Sequence, residues 1–457
     1  MMLDSSRSAL YDRRTHAARG TGDYIFNQLI PYIGNKRKLL DLIGLAIEAT
    51  GVAPEKAVFL DAFAGSGVVS RFAKKSGFQV LCNDWEPYAE QINLSAIACA
   101  APPSYGVRSY EEIIAFLNDL PDREGWITKH LCPQDDSSYD LARDRLFYTR
   151  ANGKRLDAIR GWIRAEEKAG RLDAHQKAAL LCPLLYQACY TSNTSGVFKG
   201  FHNGWGGKTG TALYRIKSAL TLQPALFFDN HRENRVFRKD ALALAEELAA
   251  SGALIDIAYL DPPYNQHPYG SNYHVLNTIA LDDAPDLSPR IEGRNKAAIR
   301  LDWRAERRSA YNYRAEAVAA YRALLDKLPA RWVLTSYSTD GTVALEDLVA
   351  ANCERGATDV VMRGYKRYRV SSQRFSEKPM NVEFVLATQK GVKGGAKAEA
   401  ILAKIRGAEE SVLAAHAENG GAQRNGCVSL THTARRRGPL DSRLRGNDKR
   451  SRKGKKA

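Results

Sequence analysis

Asp261, Pro262, Pro263 and Tyr264 stand together directly after the apolar, β-branched run Ala253–Ala258 and the pair Tyr259-Leu260. A carboxylate held rigidly beside an aromatic ring suits chemistry on an amino group attached to a flat ring. Asp261 can accept one amino N–H, the Pro262 carbonyl can accept the second, and Tyr264 can stack on the ring. The lone pair of such an amino group is delocalised into the ring, so accepting both N–H bonds localises it and aims it at an electrophile. Pro262 and Pro263 end the preceding strand, because neither donates to a ladder and each fixes its own φ. The same four residues also read as a strand closing in a Pro-Pro turn, and alone they leave both readings open.

A second constellation lies far upstream. The run 58–63 reads as a buried strand that enters Ala64-Gly65-Ser66-Gly67 and then a helix over 68–75. Strand, glycine turn and helix in that order let a nucleotide-like ligand approach backbone closely. The strand 78–84 ends in Asp84, 17 residues after Gly67, where an acid is placed to hydrogen-bond ribose hydroxyls. A dinucleotide fingerprint needs glycine or alanine at position 70, which is Ser70 here, and hydride transfer gives no reason for an Asp-Pro-Pro-Tyr strand end. Together the two constellations point to methyl transfer. Before them, Pro31 to Leu40 contains the tight-turn pair Gly34-Asn35 followed by Lys36, a natural carboxylate site at a helix start. Asp240, ahead of the amphipathic helix 242–249, reads equally as a helix cap or as a contact to a cofactor's adenine.

Phe63-Ala64-Gly65-Ser66-Gly67 followed by Asp261-Pro262-Pro263-Tyr264 resembles the DNA adenine-N6 methyltransferases of the Dam-like D12 class, and Tyr32-Ile33-Gly34-Asn35-Lys36 resembles that family's N-terminal motif. The likeness covers roughly residues 27–390. It implies S-adenosylmethionine (AdoMet) as methyl donor, no metal, and double-stranded DNA as partner. It also implies an α/β fold, doubly wound around a mostly parallel seven-stranded sheet with one reversed strand. The candidate catalytic residues are Asp261, Pro262, Pro263 and Tyr264. The candidate cofactor residues are Tyr32, Lys36, Asp61, Phe63, Gly65, Gly67, Asp84, Asp240 and Asp261. The family more often has glycine where this chain has Asn35. Whether a cognate restriction endonuclease acts on the same site stays open, as do the recognition sequence and the oligomeric state.

Gly67 and Asp261 are 194 residues apart, far more than one crossover helix needs, so an insertion is expected over about 101–230. Its first part is helical in pattern. Its later part, Cys189 to Lys208, is glycine-rich with interleaved aromatic and basic residues, a composition for hairpins and loops that reach a duplex. The resemblance places a target-recognition hairpin here, with Asn193, Lys199, His202, Asn203 and Lys208 as candidate DNA contacts. A second candidate surface is 360–370, where Arg363, Lys366, Arg367 and Arg369 interleave with Tyr365 and Tyr368 as a phosphate ribbon or as one face of an exposed strand. The stretch 266–308, with Asn272, Tyr273 and His274 near its start, reads as polar and irregular, either an ordinary surface loop or one that closes over a flipped base.

The net charge of +16 is concentrated at the ends: residues 393–457 hold 16 Lys or Arg against 6 Asp or Glu, leaving a mildly basic body. Any DNA surface must therefore be a local patch. The expected organisation is a flexible arm (1–27), a first methyltransferase part (28–100), the insertion (101–230), a second methyltransferase part (231–390), a helix (391–422) and a basic, disordered tail (423–457). The abrupt change in composition favours reading that tail as an accidental extension rather than a DNA tether. Seven scattered cysteines without a CxxC pair read as reduced thiols, and no apolar run approaches a membrane span, so a cytoplasmic protein is expected. The competing readings are an RNA methyltransferase, a cytosine-N4 enzyme, and an inactive DNA-binding module.

Overall fold

The computed structural model describes residues 8–11, 23–210, 212–264, 266, 268–288, 291–339, 341–366 and 380–421. The flexible arm and the basic tail expected from sequence lie largely outside these residues. Contacts divide the chain into a unit of residues 1–414, which holds everything below, and a short C-terminal unit.

Seven strands form one sheet: β1 (Val58–Asp61), β2 (Gln79–Asn83), β3 (Arg235–Phe237), β4 (Ile255–Leu260), β5 (Ala330–Ser338), β6 (Gly356–Lys366) and β7 (Met380–Lys390). Their order is β3-β2-β1-β4-β5-β7-β6. All neighbours pair in parallel except β7, which is antiparallel to both β5 and β6. The sheet is thus mostly parallel with one reversed strand, as expected. Its inner strands are almost continuously buried, because helices cover both faces.

On one face, α1 (Leu40–Ala49) and α2 (Val68–Ser76) supply Leu42, Ile43, Val69 and Phe72 to a core shared with Phe59, Val80, Ile257 and Val385. The other face is covered by α6 (Ala241–Ala250), α8 (Arg314–Lys327) and α9 (Leu345–Cys353), which bury Leu244, Tyr321 and Leu348 against Leu60, Val333 and Phe384. A third core joins α3 (Pro87–Asn93) to the long helices α4 (Arg150–Lys168) and α5 (Ala174–Tyr190) and to α7 (His274–Leu281). The helical pattern expected early in the insertion is therefore present. Helix α5 continues through Pro183, and no helix among the described residues is long and apolar enough to cross a membrane.

Two expectations fail here. The stretch 191–212 holds no strand among its described residues, so there is no hairpin. Its glycines instead serve irregular turns, with Gly196, Gly206, Gly207 and Gly210 at positive φ. The stretch after the Asp-Pro-Pro-Tyr segment is not simply irregular either: Val275, Leu276 and Ile279 fall on the buried side of α7. Asn272 and His274 are buried, with Phe198 donating its N–H to the Asn272 carbonyl (2.7 Å) and the His274 ring bonded to the Phe198 carbonyl (2.8 Å). They hold the 191–212 loop to α7 and do not form a closing surface loop.

Candidate active site

The reversal of strand order falls between β1 and β4, where an open α/β sheet places its ligand crevice. Backbone bonds knit the strand ends together there: Ala62 N–H donates to the Tyr259 carbonyl (3.1 Å), Ala64 N–H to Asn83 (2.9 Å), and Asp84 N–H to Phe237 (3.2 Å). Over these ends lies a cleft open to solvent. Its lining includes Tyr32, Phe63, Asp84, Asp240 and Asp261, residues separated by up to 229 positions in sequence.

The glycine loop is tight because other groups fill the space a side chain would take. Gly65 has φ +51°, and a Cβ there would lie 2.6 Å from the Tyr32 ring. Gly67 has φ +77°, and its Cβ would meet Asn93 Oδ1 at 2.1 Å. Asn93 in turn donates to the Gly65 carbonyl (3.2 Å). Asp84 accepts from the Gly65 N–H (2.7 Å) and the Glu86 N–H (2.9 Å), while burial pushes its carboxyl up to about 6 against these bonds. A carboxylate has further acceptor positions, so this anchoring leaves Asp84 able to take a hydroxyl from the cleft. Asp240 is a helix cap, one of the two readings that the sequence allowed: its Oδ1 accepts from Leu242 and Ala243 at the start of α6, and the residue lines the cleft.

Asp61 is a correction. It is buried at the end of β1, outside the cleft lining, and accepts from the Ser70 hydroxyl (2.7 Å). Burial raises its carboxyl to about 7 despite that bond. The residue that departs from the dinucleotide fingerprint thus ties α2 to β1 beneath the loop.

Beside Asp261, Lys36 is only 3% exposed, with Nζ 3.0 Å from Asp261 Oδ1, 3.9 Å from Glu383 Oε2 and 5.0 Å from the centre of the Tyr264 ring. Burial alone lowers a lysine pKa; the charges of Asp261 first, and then of Glu383, outweigh it and hold this ammonium protonated. Asp261 is raised to about 6, first by burial and then by Glu383, with Lys36 opposing. Pro262 is buried, and Tyr264 meets Tyr337 edge-on at 5.7 Å. Lys36 is aimed here by the turn Tyr32–Asn35, in which Asn35 accepts from the Arg37 N–H (2.7 Å) and Gly34 takes φ +75°. Asparagine in place of the family's commoner glycine therefore adds a cap without disturbing the turn.

Sequence reasoning missed an aromatic wall. Tyr32 stacks on Tyr269 and on Tyr273, each with ring centres 5.0 Å away, and Tyr273 accepts from the Ile33 N–H (2.8 Å). It also missed Glu383, Asn93, Glu86 and Arg307. Glu86 lines the cleft, is bonded by Asn277 (2.6 Å), and is raised by burial to about 7. Only the aromatic spacing Tyr269, Tyr273 carried a readable signal, because residues four apart meet across one turn, closed here by the Tyr273 N–H donating to the Tyr269 carbonyl (2.9 Å).

The proposed DNA contacts divide. Asn193 is 0% exposed; its amide donates to the carbonyls of His202 (3.2 Å) and Gly204 (3.3 Å), and its Oδ1 accepts from Gly206 N–H (3.1 Å). Its polar atoms are spent on the loop's own backbone, so it is not a base contact. Lys199 and His202 are half-buried, while Asn203 and Lys208 are exposed, with Lys296 donating to Asn203 (2.9 Å). Arg363 and Lys366 lie on β6, the edge strand; Arg367 and Arg369 lie outside the described residues.

Residues 32–292 match the family model of the D12 class N6 adenine-specific DNA methyltransferases. The chain belongs to this family. The type II methyltransferase M.NlaIII of Neisseria lactamica is 31% identical over 344 residues, covering 74% of this chain and 92% of the relative. The type II methyltransferase M.CviAII of Paramecium bursaria Chlorella virus 1 is 29% identical over 74% of this chain and 93% of the relative. The modification methylase StsI of Streptococcus sanguinis is 28% identical over 74% of this chain, which spans only about half of that relative. Membership in this D12 class implies AdoMet as methyl donor, and the residues present fit it. The cleft is lined by aromatic Phe63 and by the carboxylates of Asp84, Asp240 and Asp261, groups suited to an adenine ring, to hydroxyl and amino donors, and to a sulfonium cation.

Proposed function

We propose that this D12 methyltransferase modifies the N6 atom of an adenine flipped out of duplex DNA, at a specific site and as the modification half of a restriction-modification system. Asp84 holds the ribose of AdoMet, and Asp240 and Phe63 hold its adenine. When bound, AdoMet supplies a methyl group activated by its sulfonium. Asp261 and the Pro262 carbonyl accept the two N6 hydrogens, and Tyr264 stacks on the target ring. This localises the N6 lone pair for in-line attack, so that positioning and fixed charge supply most of the catalysis. Adenine inside a duplex is out of reach of these groups, which is why extrusion is part of the reading.

The observation that carries the proposal is the convergence of Asp84, Asp240 and Asp261 on one cleft at the switch point of the sheet. We assign target recognition to the inserted region 101–230, with Lys199, His202, Asn203 and Lys208 facing DNA, and Arg363 and Lys366 as phosphate contacts. A restriction endonuclease of the same sequence specificity is the partner that this role calls for. The test is transfer of labelled methyl from AdoMet to duplex DNA and to total RNA in parallel, with nucleoside analysis of both products. N6-methyladenine in DNA is expected; label confined to RNA, or N4-methylcytosine in the DNA, would overturn the assignment.

A further inference from the structure

The buried acid on the reversed strand has no part in the account above. Strand β7 runs against its neighbours, so its beginning lies beside the carboxyl end of β5, with Glu383 opposite Ser338. Reversal thus brings a residue from the start of a strand to the ligand side of the sheet, where parallel strands present only their ends. Glu383 falls on the same face as Val385 and Ala387, which pack in the core formed with α1. Lys36 enters from the turn before α1, and Glu383 Oε2 stands 3.9 Å from its Nζ, with the residue 6% exposed.

One buried cation therefore lies between two carboxylates at unequal distances, 3.0 Å to Asp261 and 3.9 Å to Glu383. The other titratable groups facing Asp261 are Asp61 from β1, Tyr259 from β4, Tyr337 from β5, and Tyr264 and Tyr269 from the segment that follows. The four tyrosines are all held above their ordinary range, so they stay neutral near pH 7. Glu383 is accordingly the nearby group able to contest Lys36 with Asp261. If Lys36 answered to Asp261 alone, the pair would be neutral, and Asp261 would be a weaker acceptor for an amino N–H.

We propose that Glu383 is a positioning residue for methyl transfer: by sharing the Lys36 ammonium, it leaves the Asp261 carboxylate less neutralised and more basic, and so a stronger acceptor. This rests on the role proposed for Asp261. In this role Glu383 acts through Lys36. A net negative trio also matches the positive sulfonium that the site receives.

The test is the single-turnover methylation rate of duplex DNA against pH at saturating AdoMet. In the wild type, the raised carboxyl of Asp261 sets an acidic limb near pH 6, below which the rate falls. Glu383→Gln removes the competitor, so the limb moves down by about one pH unit. The plateau kcat falls roughly tenfold, with KM for DNA unchanged. Glu383→Asp, which keeps the charge, restores the wild-type limb. A folded Glu383→Gln enzyme whose limb coincides with that of the wild type overturns the proposal. Should that variant not fold, Lys36→Gln serves in its place: with the shared cation gone, the limb must move above pH 6, and an unmoved limb overturns the proposal equally. Asp261→Asn separates the two levels, since wild-type turnover in that variant would remove the role of Asp261 itself.

Discussion

The strand ends around Asp261 and the loop 191–212 are both polar, both tightly wound, and both rich in groups suited to binding. They differ in what those groups bond to. At the strand ends, backbone amides and carbonyls satisfy one another across β1, β2, β3 and β4, so a side chain such as Asp261 is left to line a cleft. The loop has no ladder to satisfy its backbone, and Asn193 supplies the missing partners by bonding His202, Gly204 and Gly206. A regular scaffold frees polar side chains for ligands; an irregular segment consumes them.

Substitutions should therefore separate function from stability differently in the two regions. Among the effects on binding and stability, the largest is expected at Asp84→Ala, which removes a charged acceptor from the glycine loop and from the ribose that it is proposed to hold. One charged hydrogen bond is worth about 1.5–3 kcal/mol, so AdoMet affinity should drop by roughly 10–10²-fold in a calorimetric titration. Affinity within twofold of wild type would break the functional half of the contrast. Next comes Asn193→Ala: several buried loop groups lose partners at about 1–3 kcal/mol each, although water will recover some of that. Urea denaturation should show a loss of at least about 2 kcal/mol. Intact stability with altered sequence preference would return Asn193 to the DNA interface.

Gly67→Ala forces an alanine into left-handed backbone at about 1–2 kcal/mol and pushes Asn93 from the Gly65 carbonyl. Both melting temperature and AdoMet affinity should fall, because this glycine belongs to the scaffold and the site at once. Smallest is Lys208→Ala on the exposed part of the loop, which should leave stability unchanged and reduce the salt slope of DNA binding by about 1. A slope equal to wild type would mean that this lysine meets no phosphate.

The same contrast explains what the sequence made legible. Motifs at strand ends are readable because their neighbours along the chain are also their structural context: Gly65 and Gly67 lie on the turn they permit, and Asp261 follows the strand that carries it. The strands that carry the site, 58–63, 78–84 and the run before Asp261, were legible as short apolar or β-branched runs, whereas 360–370 read equally as a phosphate ribbon or an exposed strand. Glu383 was hidden because its partner Lys36 is 347 residues away, and a single glutamate in the strand motif Val382–Leu386 looks like any solvent-facing residue. Asn193 misled for the opposite reason, since an asparagine among glycines and lysines has the composition of a DNA contact whether its amide faces a base or its own loop. Asp61 shared this fate: adjacency to the glycine loop did not reveal that Ser70 claims it.

The central claim is that Asp261 makes the target amino group reactive. Its most direct test is the single-turnover rate of methyl transfer to duplex DNA by Asp261→Asn, compared with wild type at saturating AdoMet. A fall of at least about 10²-fold is expected, the usual cost of removing one preorganised polar contact. A rate within a few-fold of wild type would contradict the account and leave the Asp-Pro-Pro-Tyr segment as a strand end alone.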